Sequence, residues 1–328
     1  VNFGKGLVSI VVPTFNRAAV LGETLRRLSL LDAAGGRIEL LVVDDGSPDG
    51  TVELVGRHRA PFPVTLIENG TNMGRAATRN KGVAAAKGES ILFLDDDIWV
   101  DPDLLVRLFG AGRDRPAPFG VVGRIESHFT GRSRALKIHQ RRRDEWIRGE
   151  MLRRRDDLPG DFCLTGLLLV PRESFREAGG FDERFTLYGG EDTDLGRRLV
   201  ESGTRLVYCD EARVQHVVDY TVRDYIRRCS ELGVSMALMA GGEGNPQVAP
   251  GLLDAAWDCR GGMRAFLRNG VKRMLVTPPA ATVTRALLGV IDGLGIAPSL
   301  TARYLLPLVK LQCTLRRRFP APAAGNPA

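Results

Sequence analysis

Three consecutive carboxylates, Asp95, Asp96 and Asp97, follow the apolar run Ile91-Leu92-Phe93-Leu94 and end against Ile98-Trp99. Adjacent carboxylates at the end of a buried strand repel one another and lose hydration, so a counter-charge is expected. A hard divalent cation with oxygen ligands supplies that charge, and phosphate oxygens commonly complete its shell. The plainer alternative is an acidic turn with helix-capping aspartates ahead of Asp101-Pro102. A second acidic set, Glu191, Asp192 and Asp194, follows Gly189-Gly190. The glycines let the backbone turn sharply before a helix, whose N-terminus favours carboxylates and tends to keep Asp192 ionised, as a base requires. Helix capping is the competing role for all three acids. A third set, Asp44-Asp45-Gly46-Ser47, closes the run Ile38-Glu39-Leu40-Leu41-Val42-Val43.

The elements that would position these groups alternate. Residues 8–12 are a β-branched run ended by Pro13, and Asn16 is placed to cap a helix carrying Leu21, Leu25, Leu28 and Leu31. Strands are expected at 38–43, 64–67 and 91–94, with a short helix between 38–43 and 64–67 and a helix over 75–87 closed by Gly88. Continuous apolar strands separated by helices predict a parallel sheet covered on both faces. Ligands of such sheets sit beyond the strands' carboxyl ends. Pro13-Thr14, Asp44-Asp45 and Asp95 to Asp97 all lie at such ends, so they should converge on one crevice. The second half is less regular: strands at 119–123, 163–170, 205–209 and 213–217, helices over 171–178 and 191–202, then mainly helical character from Thr221, broken near 241–251.

The 328 residues allow one large α/β domain with an appendage, or two domains. Five scattered cysteines without CxxC spacing argue against a disulfide framework or zinc site and fit a reducing compartment. Val1 to Lys5 leads almost directly into the first strand, the expectation for a chain without a signal peptide, and no run of 18 apolar residues predicts a spanning helix. The expected location is cytoplasmic, with peripheral membrane contact open. The net charge is +7, and Arg132 to Arg155 alone holds ten Lys/Arg against three Asp/Glu. A local excess of this kind implies one anionic contact surface rather than nucleic-acid binding.

Five ordered elements over roughly residues 7–218 make the chain resemble a family 2 glycosyltransferase with the GT-A fold. They are Val11-Val12-Pro13-Thr14-Phe15-Asn16-Arg17, Val43-Asp44-Asp45-Gly46-Ser47, Asn72-Met73-Gly74 with Arg79-Asn80-Lys81-Gly82, Phe93 to Asp97, and Gly189-Gly190-Glu191-Asp192. The resemblance implies an α/β, Rossmann-like GT-A domain over 1–218, with a nucleotide-binding half (1–100) and an acceptor half (101–218). A helical C-terminal region (219–315) and a disordered tail (316–328) would follow. It further implies a metal-dependent, inverting transfer from a nucleotide-diphosphate sugar, UDP-linked by preference, to an acceptor hydroxyl of a glycan, a lipid-linked sugar or a metabolite.

By the same resemblance Asp45 accepts a hydrogen bond from the base, framed by Pro13 and Thr14, with Asn16, Asn72 and Gly74 completing the donor site. Arg79 reaches the diphosphate or pins the aspartates. Asp97 is the leading ligand for Mn²⁺ or Mg²⁺, with Asp95 and His216 beside it, and Asp95 or Asp96 holds the ribose or metal-bound water. Asp192 takes the acceptor's proton while Glu191 orients it. Trp146, Arg142 and Gly190 are acceptor-side candidates. The Arg141-Arg142-Arg143 and Arg153-Arg154-Arg155 triplets read either as a lid for an anionic acceptor or as the solvated face of a helix. The C-terminal helices, with Arg316-Arg317-Arg318 beyond them, read as a membrane-interface, dimer or intradomain surface. Two other functions compete: a nucleotidyltransferase, which would want a glycine-rich basic loop where Pro13 to Arg17 stands, and a non-catalytic sugar-nucleotide binding module.

Overall fold

The computed structural model describes residues 6–112, 118–241, 278–295 and 297–315. Its first compact unit comprises 1–130, 143–186 and 191–218, and its second 131–142, 187–190 and 219–328. The first is built on an eight-stranded sheet. In chain order its elements are β1 (Leu7–Thr14), α1 (Ala18–Leu28), β2 (Arg37–Asp44), α2 (Thr51–Arg57), β3 (Val64–Glu68), α3 (Arg75–Ala85), β4 (Ser90–Leu94), β5 (Ile98–Val100) and α4 (Leu104–Gly112). Then come β6 (Phe119–Phe129), α5 (Arg134–Arg153, of which only residues from Arg143 onward belong to this unit), β7 (Leu167–Pro171), α6 (Arg172–Glu177), α7 (Glu191–Glu201) and β8 (Arg205–Val218). The spatial order is β3-β2-β1-β4-β7-β6-β8-β5.

The first four strands of that order are parallel, as their unbroken apolar runs predict. Strand β7 is then antiparallel to both β4 and β6, so the second half departs from an all-parallel sheet. Alternate residues serve two cores. Ile10, Val12, Leu40, Val42, Leu92 and Leu94 pack with Leu21, Leu25 and Leu28 of α1 on one face. Val11, Leu41, Val43, Ile91 and Phe93 meet Ala76, Phe175 and Leu195 on the other. Each fully buried branched or aromatic side chain here contributes roughly 1.5–3 kcal/mol, which is why register is fixed on both faces.

Several local expectations change. Asn16 does not cap α1: Arg17 holds the cap position without a side-chain bond, and Asp49 from the β2–α2 loop accepts the Ala18 amide at 2.8 Å instead. The strand expected at 163–170 begins only at Leu167; Gly160–Phe162 forms a short 3₁₀ turn, and 163–166 is irregular. The strands expected at 205–209 and 213–217 are one strand, β8, in which residues 210–212 bulge out between the pairs Gly123–Cys209 and Arg124–Arg213.

Close backbone approach at two glycines explains the irregular segment. A Cβ on Gly196 of α7 would lie 2.2 Å from the Gly160 carbonyl oxygen and 2.3 Å from the Cys163 Cβ. One on Gly160 would lie 2.4 Å from the Arg197 nitrogen. Helix α7 therefore touches the 3₁₀ turn backbone to backbone, and this locks the 163–166 segment beside the start of α7.

The second unit holds α8 (Val222–Gly241), α9 (Pro278–Gly293) and α10 (Leu306–Leu315). The Tyr225 hydroxyl donates to the Leu306 carbonyl at 3.1 Å, and the Ser133 hydroxyl to Asp292 at 2.5 Å. Helix α9 turns Leu288 inward and leaves Val283, Leu287 and Val290 exposed, as is Leu294 just after it. No described helix is long and apolar enough to cross a membrane. The tail at 316–328, its arginine cluster and most of the break expected at 241–251 lie outside the described residues.

Gly196→Ala tests the backbone contact. Overpacking of this kind costs about 1–3 kcal/mol, so the melting temperature should fall by several degrees in calorimetry. Ala at Gly203, where an added Cβ meets nothing within 4 Å, carries only the strain of its positive φ and serves as comparison.

Candidate active site

The carboxyl ends of β1, β2 and β4 meet as expected. Thr14, the last residue of β1, donates its hydroxyl to Asp96 Oδ2 at 2.8 Å, and its carbonyl accepts the Asp45 amide at 2.9 Å. Thr24 on α1 donates to the Asp96 carbonyl at 2.7 Å. Pro13 pairs in register with Val43, so its contribution is backbone.

Asp45 is buried and accepts three amide hydrogens: Asn69 Nδ2 and the Met73 N–H on Oδ1, each at 2.8 Å, and the Gly74 N–H on Oδ2 at 3.0 Å. It thereby pins the 69–74 loop. Gly74 stands at φ 87°, where a side chain would be strained and would also meet Thr186 at 3.2 Å. Asn72 is exposed on that loop, and Asn16, at φ 54°, is exposed with its amide on Ser47 Oγ.

The aspartate triplet splits three ways. Asp95 accepts the Arg79 Nη2 hydrogen at 2.7 Å and keeps 35% of its side chain exposed. For buried Asp96, desolvation dominates the Arg17 charge 3.5 Å away and pushes the carboxyl up to about 7. Buried Asp97 faces the same desolvation, but His216 Nε2 at 3.2 Å and Arg17 Nη1 at 2.8 Å outweigh it and hold the carboxyl well below the usual range. His216 answers in kind: burial lowers its affinity for a proton, and Asp97 more than restores it. His216 reaches this point because β5 pairs Ile98 with His216 and the Val217 amide donates to the Asp97 carbonyl.

Arg79 is the buried hub. Its side chain is 2% exposed, with Nη2 on Asp95, Nη1 on Glu191 Oε1 at 3.3 Å and Asp192 Oδ1 at 4.0 Å. Burial works against its charge, and the three carboxylates overcome that and raise its pKa. It pins the aspartates, one of the two roles open to it from sequence, and is no solvated helical arginine. Helix α3 brings it this deep because Ala76, Ala77 and Gly82 form its inner face; a Cβ on Gly82 would lie 2.5 Å from Val11 Cγ1.

Glu191 and Asp192 open α7, after Gly189 and Gly190 at φ 83° and 98°. Glu191 is buried and its Oε2 has no hydrogen-bond partner. Asp192, with 30% of its side chain exposed, accepts the Thr165 hydroxyl on Oδ1 and the Thr165 amide on Oδ2 at 3.4 Å. Desolvation first, then the Glu191 charge, push Asp192 up to about 7. The helix dipole's tendency to keep Asp192 ionised is therefore outweighed here: a helix terminus is worth about 0.3–1 kcal/mol, less than burial and a neighbouring carboxylate.

Of the three residues expected to serve an acceptor, Trp146 is 40% exposed on α5, and Arg142 is exposed and belongs, with Gly190, to the second compact unit. The second arginine triplet is spent on ion pairs: Arg153 and Arg154 meet Glu150, and Arg155 lies 3.8 Å from Glu211. Sequence reasoning missed three contributors. Arg17 had a usable signal as the cation directly after β1. Thr165 was hidden by reading its loop as strand, and Thr24 looked like an ordinary helix residue.

A divalent cation, if used, would find one buried oxygen ready: Asp97 Oδ1 has no hydrogen-bond partner. His216 shares that carboxylate, and oxygens of a diphosphate and water would have to complete the shell. Among the described residues no three His, Cys, Asp or Glu side chains converge to hold an ion by themselves. The site fits an ion that arrives with a phosphate-bearing ligand.

Comparison with known proteins follows this geometry. The family model described as glycosyl transferase family 2 matches residues 9–179, just over half of the chain, and that described as N-terminal domain of galactosyltransferase matches 153–221. Validoxylamine A glucosyltransferase of Streptomyces hygroscopicus subsp. jinggangensis is 30% identical over 63% of this chain and 54% of its own length. Pre-mycofactocin glycosyltransferase of Mycobacterium tuberculosis is 32% identical over 71% and 47%. The chain thus spans about half the length of the curated relatives it matches. Among solved structures, mannosyltransferase PcManGT from Pyrobaculum calidifontis, in complex with GDP-Man and Mn²⁺, aligns over 96% of this chain and 88% of its own, with TM-score 0.62 and 20% identity. S. aureus TarS 1–349 in complex with UDP-GlcNAc aligns over 95% and 91%, with TM-score 0.52 and 16% identity. These likenesses agree on a GT-A fold, and with the match across the sheet and the aspartate triplet they make the chain a member of glycosyltransferase family 2.

Proposed function

We propose that the chain transfers a sugar from a nucleotide-diphosphate sugar to an acceptor hydroxyl in one displacement that inverts the anomeric carbon, with a divalent metal ion. The observation that carries this reading is the contrast between two carboxylates, one from each of the two acidic sets. Asp97 is held ionised and keeps a buried, unpartnered oxygen, whereas Asp192 sits half-open with its pKa up at about 7. The first suits a permanent ligand, and the second suits proton transfer near neutral pH.

In this reading Pro13, Thr14, Asn16, Asn72 and Gly74 frame the nucleotide. A carboxylate offers about four lone-pair sites, and internal donors use three of them on Asp45, so the base imide would take the last, on Oδ2. Asp95 faces the donor from its bridge to Arg79. Asp97 and His216 would hold the metal ion, which supplies charge to neutralise the departing diphosphate. Asp192 removes the acceptor's proton as the hydroxyl oxygen attacks, and the unpartnered Oε2 of Glu191 is left to orient the acceptor. Trp146 is the proposed stacking surface. Uridine donors are preferred; the GDP-Man and UDP-GlcNAc complexes of the two solved structures support testing both bases.

The direct test is turnover with UDP-glucose, UDP-GlcNAc and GDP-mannose, with and without Mn²⁺; no metal-stimulated release of nucleotide from any of them would count against the proposal. Asp97→Asn should abolish metal-stimulated turnover while the fold survives, and near-normal rates at limiting Mn²⁺ would remove Asp97 from the metal.

Asp192→Asn should cut kcat by about 10²–10⁴-fold with donor affinity intact. In the parent enzyme kcat should fall as pH drops through about 7, because a base must be unprotonated to act. Product of opposite anomeric configuration to the donor is expected by NMR coupling constants, and retention would exclude a single displacement.

Asp45→Ala should weaken donor binding and lower the melting temperature together, since the same carboxylate anchors the 69–74 loop. Unchanged donor affinity in calorimetry would take Asp45 out of the base site.

A further inference from the structure

We infer that Thr165 is a positioning residue for the proposed base: it grips both carboxylate oxygens of Asp192 and leaves the outer lone pair of Oδ2 as the one that receives the acceptor's proton. The inference rests on Asp192 being the base. Thr165 is fully buried, yet both its donors are spent on one carboxylate, the hydroxyl on Oδ1 and the amide on Oδ2 at 3.4 Å. A buried hydroxyl could equally bond a nearby backbone carbonyl, as Thr24 and Thr78 do. Here it is aimed at the partly open acid.

The two bonds are unequal, and the inequality selects an atom. Oδ1 takes a direct hydroxyl bond and has the Arg79 guanidinium 4.0 Å away, so both donors hold negative charge on that oxygen. Oδ2 has only the long amide contact, so its proton affinity is the less suppressed. Two attachment points also stop rotation of the carboxylate about its Cβ–Cγ bond. A reacting group is useful only when aligned, and misplacement by about 1 Å can cost about 10²-fold.

The support beneath Thr165 is rigid for a reason already given: α7 and the Gly160 turn touch through backbone at Gly196. Asp192, on the first turn of α7, and Thr165, five residues after Gly160, are thus carried by one contact. Gly166 continues the arrangement, since a Cβ there would lie 3.3 Å from Asp95 Oδ2. The ionisable groups facing Asp192 are Glu191 from its own helix, Arg79 from α3, Asp95 from the end of β4 and the Cys163 thiol. Of these Arg79 alone favours the carboxylate, and Thr165 joins it as a neutral donor.

The test uses Thr165→Val, which keeps shape and removes the hydroxyl, and Thr165→Ser, which restores a hydroxyl. Protein labelled with ¹³C at aspartate Cγ is titrated without donor, and the Asp192 signal is identified by its absence in Asp192→Asn. Thr165→Val should move the Asp192 midpoint upward by about one pH unit and Thr165→Ser should return it. With UDP-glucose, UDP-GlcNAc and GDP-mannose in Mn²⁺, Thr165→Val should lower kcat about 10–100-fold with donor KM unchanged, and the acid limb should shift with the NMR midpoint. Should Thr165→Val fail to fold, Thr165→Cys, similar in size with a much weaker donor, takes its place. An unmoved midpoint and a normal kcat in the folded variant overturn the inference. Full turnover by Asp192→Asn overturns the base assignment instead, and the inference with it.

Discussion

A buried arginine beside three carboxylates is the constraint on which the candidate site depends. Burial at 2% exposure works against the Arg79 guanidinium, and the carboxyl groups of Glu191 and Asp192 stand side by side at the start of α7. Together they are tolerable only in a fixed geometry, with one fork nitrogen on Asp95 and the other on Glu191. A lysine offers a point charge and could not span both. Three stretches far apart in sequence, around residues 79, 95 and 191, are therefore forced to one place. Displacing any of them would strand a buried charge, a loss of about 3–5 kcal/mol when one partner of such a pair goes.

Within that frame, identical side chains acquire different properties from their neighbours. Asp96 and Asp97 are adjacent and both buried, yet they move in opposite directions. The Thr14 hydroxyl is a neutral partner for Asp96, and it does not offset desolvation. Asp97 has the Arg17 guanidinium and the His216 ring at direct contact, and they do. Two adjacent charges are costly, so the proton settles on the member with the weaker cationic support. Asp192 repeats the logic with Glu191 as its like-charged neighbour. The two acidic sets thus differ in character: Asp97 is held well below the usual carboxylate range, whereas Asp192 is pushed up to about 7.

Much of this was legible in the sequence, and the legible part has a common origin. Continuous apolar strands such as Val8 to Val12 and Ile38 to Val43 read correctly because burial on both faces leaves no ambiguity about the side that faces inward. Acidic groups at strand ends could be placed together because strand polarity in a parallel sheet sets where its carboxyl ends lie. The less legible parts depend on contacts made across the fold. Asp49, not Asn16, caps α1, and nothing local to residues 16–18 announces it. The β8 bulge at 210–212 answers pairing with β6, where Arg124 meets Arg213 directly after Gly123 meets Cys209. Asp192 read as ionised from its helix position because its burial, the larger cause of its raised pKa, is a tertiary fact, although the adjacent Glu191 was visible in the sequence.

The segment 160–166 shows most clearly why function was harder to read than fold. Its pattern, Cys163-Leu164-Thr165-Gly166-Leu167, is apolar enough to extend β7 backwards, and hydrophobicity alone assigns it to the strand. What forbids that is the Gly160–Gly196 contact, in which two residues without side chains let a turn and a helix approach more closely than any Cβ permits. A strand would hold Thr165 at a pleat position bonded along its backbone. The irregular path frees its amide and its hydroxyl to meet one carboxylate on α7. Glycine spacing between distant elements thus sets which polar groups meet Asp192 from outside its own helix. The fold is specified by abundant residues that agree with one another; the site is specified by a few small residues that remove atoms where polar groups must meet.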